Sequence, residues 1–177
     1  MKRFRTLRPG FTIVELLIVI VVIAILASII VVAYNGITAK AQSSKVSADI
    51  AMLVRAMRTA RLNADKTLYG VTGNNCTRCS CPYLNGDTTP AYTLPKTHGC
   101  WTAYFNTLDK IAAASGTNLS SLKAGDPWGS PYSIDENEGE GGGCGYDIIS
   151  SWGRSGNVNG GTSLGATNLP LYSPQCI

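Results

Sequence analysis

The sequence predicts an α+β fold, in which a long N-terminal helix precedes a small antiparallel sheet. Three observations lead to this fold class. Residues 16–34 are uncharged and almost wholly apolar, residues 38–63 carry apolar side chains at helical spacing, and residues 126–152 contain two short extended segments around a glycine-rich turn. A long helix followed by strands that can pair as a hairpin is typical of α+β proteins.

Changes in composition divide the chain into four parts. Residues 1–10 form a basic leader, 11–34 an apolar helix, 35–63 an amphipathic continuation of that helix, and 64–177 a globular head. The helix over 11–34 would be about 36 Å long, enough to span a bilayer core of about 30 Å. The leader's basic residues keep the N-terminus cytoplasmic. The remaining eleven basic and eleven acidic residues balance, so no nucleic-acid surface is indicated.

Glu15 lies at the edge of the apolar segment, where an ionised carboxylate is costly. A charge at the centre of a membrane helix costs about 2.5–3.5 kcal/mol on insertion scales. A cleaved secretory signal would have a shorter apolar run with its cleavage site after that run, and a plain signal anchor would not explain the carboxylate. We therefore expect Glu15 to have a specific partner. The alternative is that its side chain only extends to the lipid headgroups.

Arg8-Pro9-Gly10 followed by Phe11-Thr12-Ile13-Val14-Glu15 resembles the class III signal of type IV prepilins and type II secretion pseudopilins. The resemblance implies that a membrane peptidase cleaves after Gly10 and that Phe11, the new N-terminal residue, is then N-methylated. It also implies that Glu15 pairs with the terminal amine of a neighbouring subunit. Gly10 and Phe11 are therefore the expected processing residues, and Phe11 and Glu15 the expected assembly residues.

The second half of the chain extends this resemblance. Asp126-Pro127-Trp128-Gly129-Ser130-Pro131-Tyr132, followed by Tyr146-Asp147-Ile148-Ile149-Ser150-Ser151, is similar to the major pseudopilins of type II secretion. One departure lies in the apolar helix. Many pilins have Gly and Pro there, whereas this chain has Ala24 and Val32, so its helix is expected to be more continuous.

The remaining elements follow from periodicity and turn residues. Val46, Ile50, Leu53 and Met57 form one helical stripe that should face a core, with the charged residues, Arg61 among them, mostly off the stripe. Residues 64–101 are predicted as a long loop and 102–114 as a second helix. Two strands are predicted over 132–134 and 146–152, with a third near 169–172. The acidic turn over 135–140 is predicted to be a solvated hairpin tip.

Six cysteines follow the apolar segment, on the side of the membrane where disulfides persist: Cys76, Cys79, Cys81, Cys100, Cys144 and Cys176. Disulfides are favoured over the alternative, a zinc site formed by the first four thiolates. Six cysteines allow about 15 pairings, and the sequence does not choose among them. A bond between Cys79 and Cys81 is disfavoured because its ring would be too small.

No catalytic or cofactor site is predicted, so we expect a protein that is not an enzyme. His98 beside Cys100 is better explained as a solvated histidine next to a structural cysteine than as a nucleophile pair. Major pseudopilins bind calcium in the loop that corresponds to residues 153–162, but this loop contains Arg154 and no carboxylate. Calcium binding is therefore expected to be weak at most, because calcium sites usually include charged oxygens.

Taken with the resemblance, these observations predict a structural subunit of a type IV pilus-like filament or of a type II secretion pseudopilus. Its expected location is the inner, or cytoplasmic, membrane as a single-pass protein, and then a cell-surface or periplasmic filament. The resemblance implies a helical homo-oligomer whose growth needs a prepilin peptidase, an assembly ATPase and a platform protein. The alternative is a monomeric, membrane-anchored binding module outside the cytoplasm. Pilus and pseudopilus, and major and minor subunit, are not separated by the sequence.

Overall fold

The computed structural model describes residues 10–73, 76–82, 88–156, 164–174 and 176. The chain divides after Ala41 into two compact units, residues 1–41 and 42–177. Helix α1 runs from Ile13 to Ala64 and so contributes to both units. It includes Asn35-Gly36 without a break in its helical backbone, and this agrees with the continuous helix expected from the sequence.

The second unit is built around the predicted apolar stripe of α1. Val46, Ile50, Leu53 and Met57 are all buried and belong to one core. Helix α2 (Leu68–Thr72) and helix α3 (Gly99–Ser115) contribute Leu68, Trp101, Tyr104, Leu108 and Ile111 to this core, and the sheet contributes Ile134 and Ile149. The spacing of the stripe therefore identified the buried face of α1 correctly.

The sheet has three antiparallel strands in the order β1-β2-β3: β1 (Ser133–Asp135), β2 (Ile148–Ser151) and β3 (Leu164–Asn168). Ser133 lies opposite Ser150 in the first pair, and Ile148 lies opposite Asn168 in the second. The predicted hairpin is confirmed, but the third strand was placed too late in the chain. Gly165 allows β3 to approach α1 closely, since a Cβ at Gly165 would lie 2.7 Å from Ile50 Cδ1.

Residues 64–101 were predicted as a long loop because they contain many turn residues, but the structure has helices within this range. Helix α2 is followed by a 3₁₀ turn at Ala91–Thr93, and α3 begins at Gly99 rather than at residue 102. The imidazole of His98 caps α3, because its Nδ1 accepts a hydrogen bond of 3.1 Å from the amide of Cys100.

The turn that contains Asp126 is anchored to β2. Asp126 Oδ1 accepts hydrogen bonds from the amides of Trp128 (3.0 Å) and Ser130 (2.9 Å), and Oδ2 accepts one from the Ser151 hydroxyl (2.7 Å). Burial nonetheless raises the pKa of Asp126. The two parts of the pseudopilin-like motif are therefore joined by one buried carboxylate.

The acidic turn after β1 is not a solvated hairpin tip, because Glu136 and Glu138 are each only 1% exposed. Arg61 Nη1 donates to Glu138 Oε2 (3.1 Å) and to the Pro170 carbonyl (3.0 Å), and it lies 3.8 Å from Asp147 Oδ2. The placement of Arg61 outside the apolar stripe was also wrong. Arg61 lies four residues after Met57, so it occupies the next position of the same buried helical stripe.

Glu138 also holds the segment after β3. Its Oε1 accepts hydrogen bonds from the amides of Tyr172 (2.5 Å) and Ser173 (2.6 Å). Asp147 Oδ1 accepts from the amides of Asn137 (2.9 Å) and Glu138 (3.0 Å). Arg61, Glu138 and Asp147 therefore form a buried charged cluster that connects α1, the acidic turn and the segment that follows β3.

Glu136 lies apart from this cluster and has no hydrogen-bond partner for either carboxyl oxygen within the described chain. Burial, with a smaller contribution from the charges of Asp147 and Asp135, raises the pKa of Glu136 from 4.5 to about 7. The nearby hydroxyl of Thr72 donates instead to the Leu68 carbonyl, at 3.1 Å. Glu136 is thus most compatible with the fold when it is protonated.

Replacing Arg61 by Met should lower the free energy of unfolding by about 3–5 kcal/mol, because two buried carboxylates then lose their cation. The measurement is denaturant unfolding of the full chain in detergent, followed by near-ultraviolet circular dichroism of the buried tryptophans. Arg58→Met, on an exposed part of the same helix, is the matched control and should change stability by less than about 0.5 kcal/mol. Equal losses in the two variants would contradict the role of the cluster.

Glu136 should make the fold less stable as the pH rises. Its folded pKa lies above the unfolded value, so its stabilising contribution is present below 4.5 and is lost as the pH rises through about 7. The wild type should lose about 2.5 kcal/mol more than Glu136→Gln between pH 5 and pH 8. Asp126 and Asp147 titrate in both proteins, so comparing the two unfolding profiles isolates Glu136. Parallel profiles would show that Glu136 does not carry this dependence.

Candidate functional site

The N-terminus of α1 is closed by a reciprocal pair of hydrogen bonds between Thr12 and Glu15. Glu15 Oε2 accepts from the amide and from the hydroxyl of Thr12, each at 2.8 Å, and the amide of Glu15 donates to Thr12 Oγ1 at 3.2 Å. This arrangement is a capping box, which satisfies two amides that a helix terminus otherwise leaves free. The carboxylate also lies at the positive end of the helix dipole.

Glu15 therefore has a partner within its own chain, which the sequence reasoning missed. The signal was present, because Thr12 and Glu15 have the spacing Thr-x-x-Glu just before an apolar run. The expected amine of a neighbouring subunit remains a prediction. It would have to bind a carboxylate that already accepts hydrogen bonds from Thr12.

The apolar part of α1 has no core of its own. Exposed fractions of the large apolar side chains described over residues 13–37 range from 47% at Val22 to 85% at Ile13. The Ser28 hydroxyl donates to the Ile25 carbonyl (2.7 Å), so this polar group is satisfied within the helix. By length and composition α1 can cross a membrane, and none of its apolar window is buried. This surface requires an apolar medium or other helices to cover it.

The six cysteines form three disulfides: Cys76–Cys79, Cys81–Cys100 and Cys144–Cys176. Their sequence separations are 3, 19 and 32 residues. The chain-entropy relation gives them about 2, 3 and 4 kcal/mol of stabilisation, in that order. The alternative of four thiolates around zinc is excluded in this state, because Cys81 and Cys100 are bonded to each other.

The family described as prokaryotic N-terminal methylation motif matches residues 6–31. Two relatives from Dichelobacter nodosus are each described as type IV major fimbrial protein FimA. One is 34% identical over 89 residues, which cover 48% of this chain and 56% of the relative. The other is 35% identical over 74 residues, which cover 40% and 47%. The chain spans about half the length of these curated relatives, and no solved structure gives a significant match.

Over about half of its length, the chain is similar to type IV pilins. The matched methylation motif includes the leader residues next to Gly10, the capping box and most of the exposed apolar surface. The resemblance to this family stated from the sequence is therefore confirmed.

Two other sites were considered from the sequence, the pair of His98 and Cys100 and the loop over residues 153–162. Cys100 is bonded to Cys81, and His98 accepts from the Cys100 amide, so the pair offers no thiol nucleophile. Of the loop compared with the pseudopilin calcium site, residues 157–162 lie outside the described chain. The weak calcium binding expected there stays a prediction.

Proposed function

We propose that this chain is the precursor of a type IV pilus-like filament subunit, processed after Gly10 and assembled through α1. The observation that carries the proposal is the exposed apolar part of α1, residues 13–31. Its one acidic residue, Glu15, caps the N-terminus of the helix within the matched methylation motif. In the proposed filament, α1 leaves the membrane and packs on copies of itself. The head remains outside the cytoplasm, because the basic leader lies inside.

Glu15 is suited to receive the amine of a neighbouring subunit. Both hydrogen bonds that Glu15 accepts from Thr12 end at Oε2, and no described residue donates to Oε1. An amine that reaches Oε1 in an apolar filament core would form a charge-assisted bond, which low local polarity strengthens. The Thr12 cap would satisfy Glu15 in the membrane-embedded monomer. The amine would then add a second partner at assembly.

A pilus is favoured over a secretion pseudopilus because both matched relatives are described as fimbrial proteins. The disulfide-bonded head is also suited to an exposed filament surface. The proposed partners are further copies of this chain, a prepilin peptidase, an assembly ATPase and a platform protein. The rival function, a monomeric anchored binding module, would leave the apolar surface of α1 in lipid and needs no filament.

Processing predicts the mass of the mature chain. Protein extracted from membranes should begin at Phe11 and carry one added methyl group, as read by intact-mass spectrometry. In cells that lack the prepilin peptidase, the same protein should keep residues 1–10. Only full-length chains in peptidase-positive cells, or a cut after Ala27, would contradict the proposal.

Replacing Glu15 should uncouple filament assembly from membrane insertion. Glu15→Leu removes a charge from the apolar segment, so inserted protein should be unchanged or increased. Yield of sheared filaments should fall by about tenfold or more, because breaking a buried pair costs more than the 1.4 kcal/mol of one decade. Glu15→Asp should give an intermediate yield because it keeps the charge at shorter reach.

Thr12→Val is the matched control for the helix cap. It removes the hydroxyl bonds to Glu15 but keeps the carboxylate for an incoming amine, so it should assemble better than Glu15→Leu. Filament yield is normalised to membrane-inserted protein in each strain. Wild-type assembly by Glu15→Leu would assign Glu15 to the cap alone. A wild type that forms no filaments in a strain with the assembly machinery would favour the monomeric module.

A further inference from the structure

The bridge between Cys76 and Cys79 differs from the other two disulfides. It closes a Cys-x-x-Cys segment, with a sequence separation of 3 residues against 19 and 32 for the others. Cys79 is exposed, as is Cys144 of the third bridge, whereas Cys81 and Cys100 are both buried. A short ring restricts the unfolded chain least, so this bridge is held least strongly by chain entropy.

A carboxylate stands beside this bridge. Asp135 Oδ1 lies 3.4 Å from Cys76 Sγ, and the ligand atoms of Cys76, Cys79 and Asp135 all lie within 4.8 Å of one another. Arg78 Nη1 lies 3.7 Å from Asp135 Oδ2. Two sulfurs and one carboxylate oxygen are therefore close enough to bind a single ion once the sulfurs are no longer bonded to each other.

The backbone around these groups is fixed by Thr77, which is buried. Its hydroxyl donates to the Ile134 carbonyl (2.8 Å), and the Ile134 amide donates back to the same hydroxyl oxygen (3.1 Å). The Thr77 amide also donates to the Ile134 carbonyl, at 3.1 Å. Because Ile134 precedes Asp135 in β1, these bonds hold the cysteine segment next to the carboxylate in a way that does not depend on the disulfide.

We propose that Cys76, Cys79 and Asp135 form a redox-gated binding site for a thiophilic divalent cation, with Zn²⁺ as the representative ion. In the oxidised chain the sulfurs are bonded to each other and the site is closed. In the reduced chain, two thiolates and one carboxylate supply three ligands, and the exposure of Cys79 leaves a fourth position open to solvent.

Opening the site takes two electrons and two protons from an external dithiol. A thiolate of the dithiol attacks the exposed sulfur of Cys79, the S–S bond breaks, and Cys76 leaves as a thiolate. The Cys79 amide, 3.0 Å from Cys76 Sγ, stabilises this leaving group. The second thiol of the donor then forms its own disulfide and releases Cys79. Binding of Zn²⁺ to the two thiols releases their two protons.

The first test is a redox titration of the full chain in detergent with graded mixtures of reduced and oxidised dithiothreitol. Alkylation and peptide mass spectrometry then count each thiol. Cys76 and Cys79 should become half-reduced at a ratio of reduced to oxidised dithiothreitol at least tenfold lower than the other four cysteines need, which is about 30 mV. Simultaneous reduction of the three bridges, or earlier reduction of another, would overturn the proposal.

The second test adds Zn²⁺ to the selectively reduced chain and measures binding by competition with a chromophoric chelator. The reduced chain should bind one equivalent and the oxidised chain none. Asp135→Asn should weaken binding by about tenfold or more while leaving the order of reduction unchanged. Cys144→Ser combined with Cys176→Ser is the matched control and should keep both properties. Binding unaffected by Asp135→Asn, or absent from the reduced wild type, would overturn the site.

Discussion

The buried ion pair between Arg61 and Glu138 is the interaction on which the arrangement of the head most depends. Its two residues are 77 positions apart, and Arg61 also reaches the Pro170 carbonyl, 109 positions away. Each end of the pair is further bonded, so neither charge is isolated from polar partners. A buried cation without such partners would oppose folding. Burial of Arg61 is therefore favourable only when the helix, the acidic turn and the C-terminal segment are all in their native positions.

The head combines this charged cluster with apolar packing and disulfide bonds, and each of the three connects different segments of the chain. The stripe of α1 packs against α3 and the sheet, which supplies most of the non-directional stabilisation. Cys81–Cys100 ties the segment before α3 to its first turn, and Cys144–Cys176 ties the acidic turn to the end of the chain. These two bridges therefore link segments rich in glycine and polar residues to the rest of the head.

Local sequence patterns predicted much of this fold because the relevant interactions join residues that are close in sequence. Helical spacing identified Val46 and Met57 as buried, and turn residues identified the first two strands. The burial of Glu136 and Glu138 was not predictable, because it depends on contacts with residues far along the chain. β3 was misplaced because its position depends on Gly165 approaching α1. The Thr12 cap is different: its signal was local and was overlooked beside the stronger apolar pattern.

The capping box has a consequence for the proposed maturation, cleavage after Gly10. The box uses the amide of Thr12, which is unaffected when the preceding peptide bond to Phe11 remains intact. Precursor and product would therefore share the same helix start, and cleavage would change only the electrostatics by adding a positive charge beside the positive end of the helix dipole. Within one subunit, only Glu15 of the same helix end is placed to offset that charge, and its Oε2 already accepts two hydrogen bonds from Thr12. Maturation would thus create a second cation for this helix terminus, and a carboxylate from a neighbouring subunit could balance it after cleavage but not before.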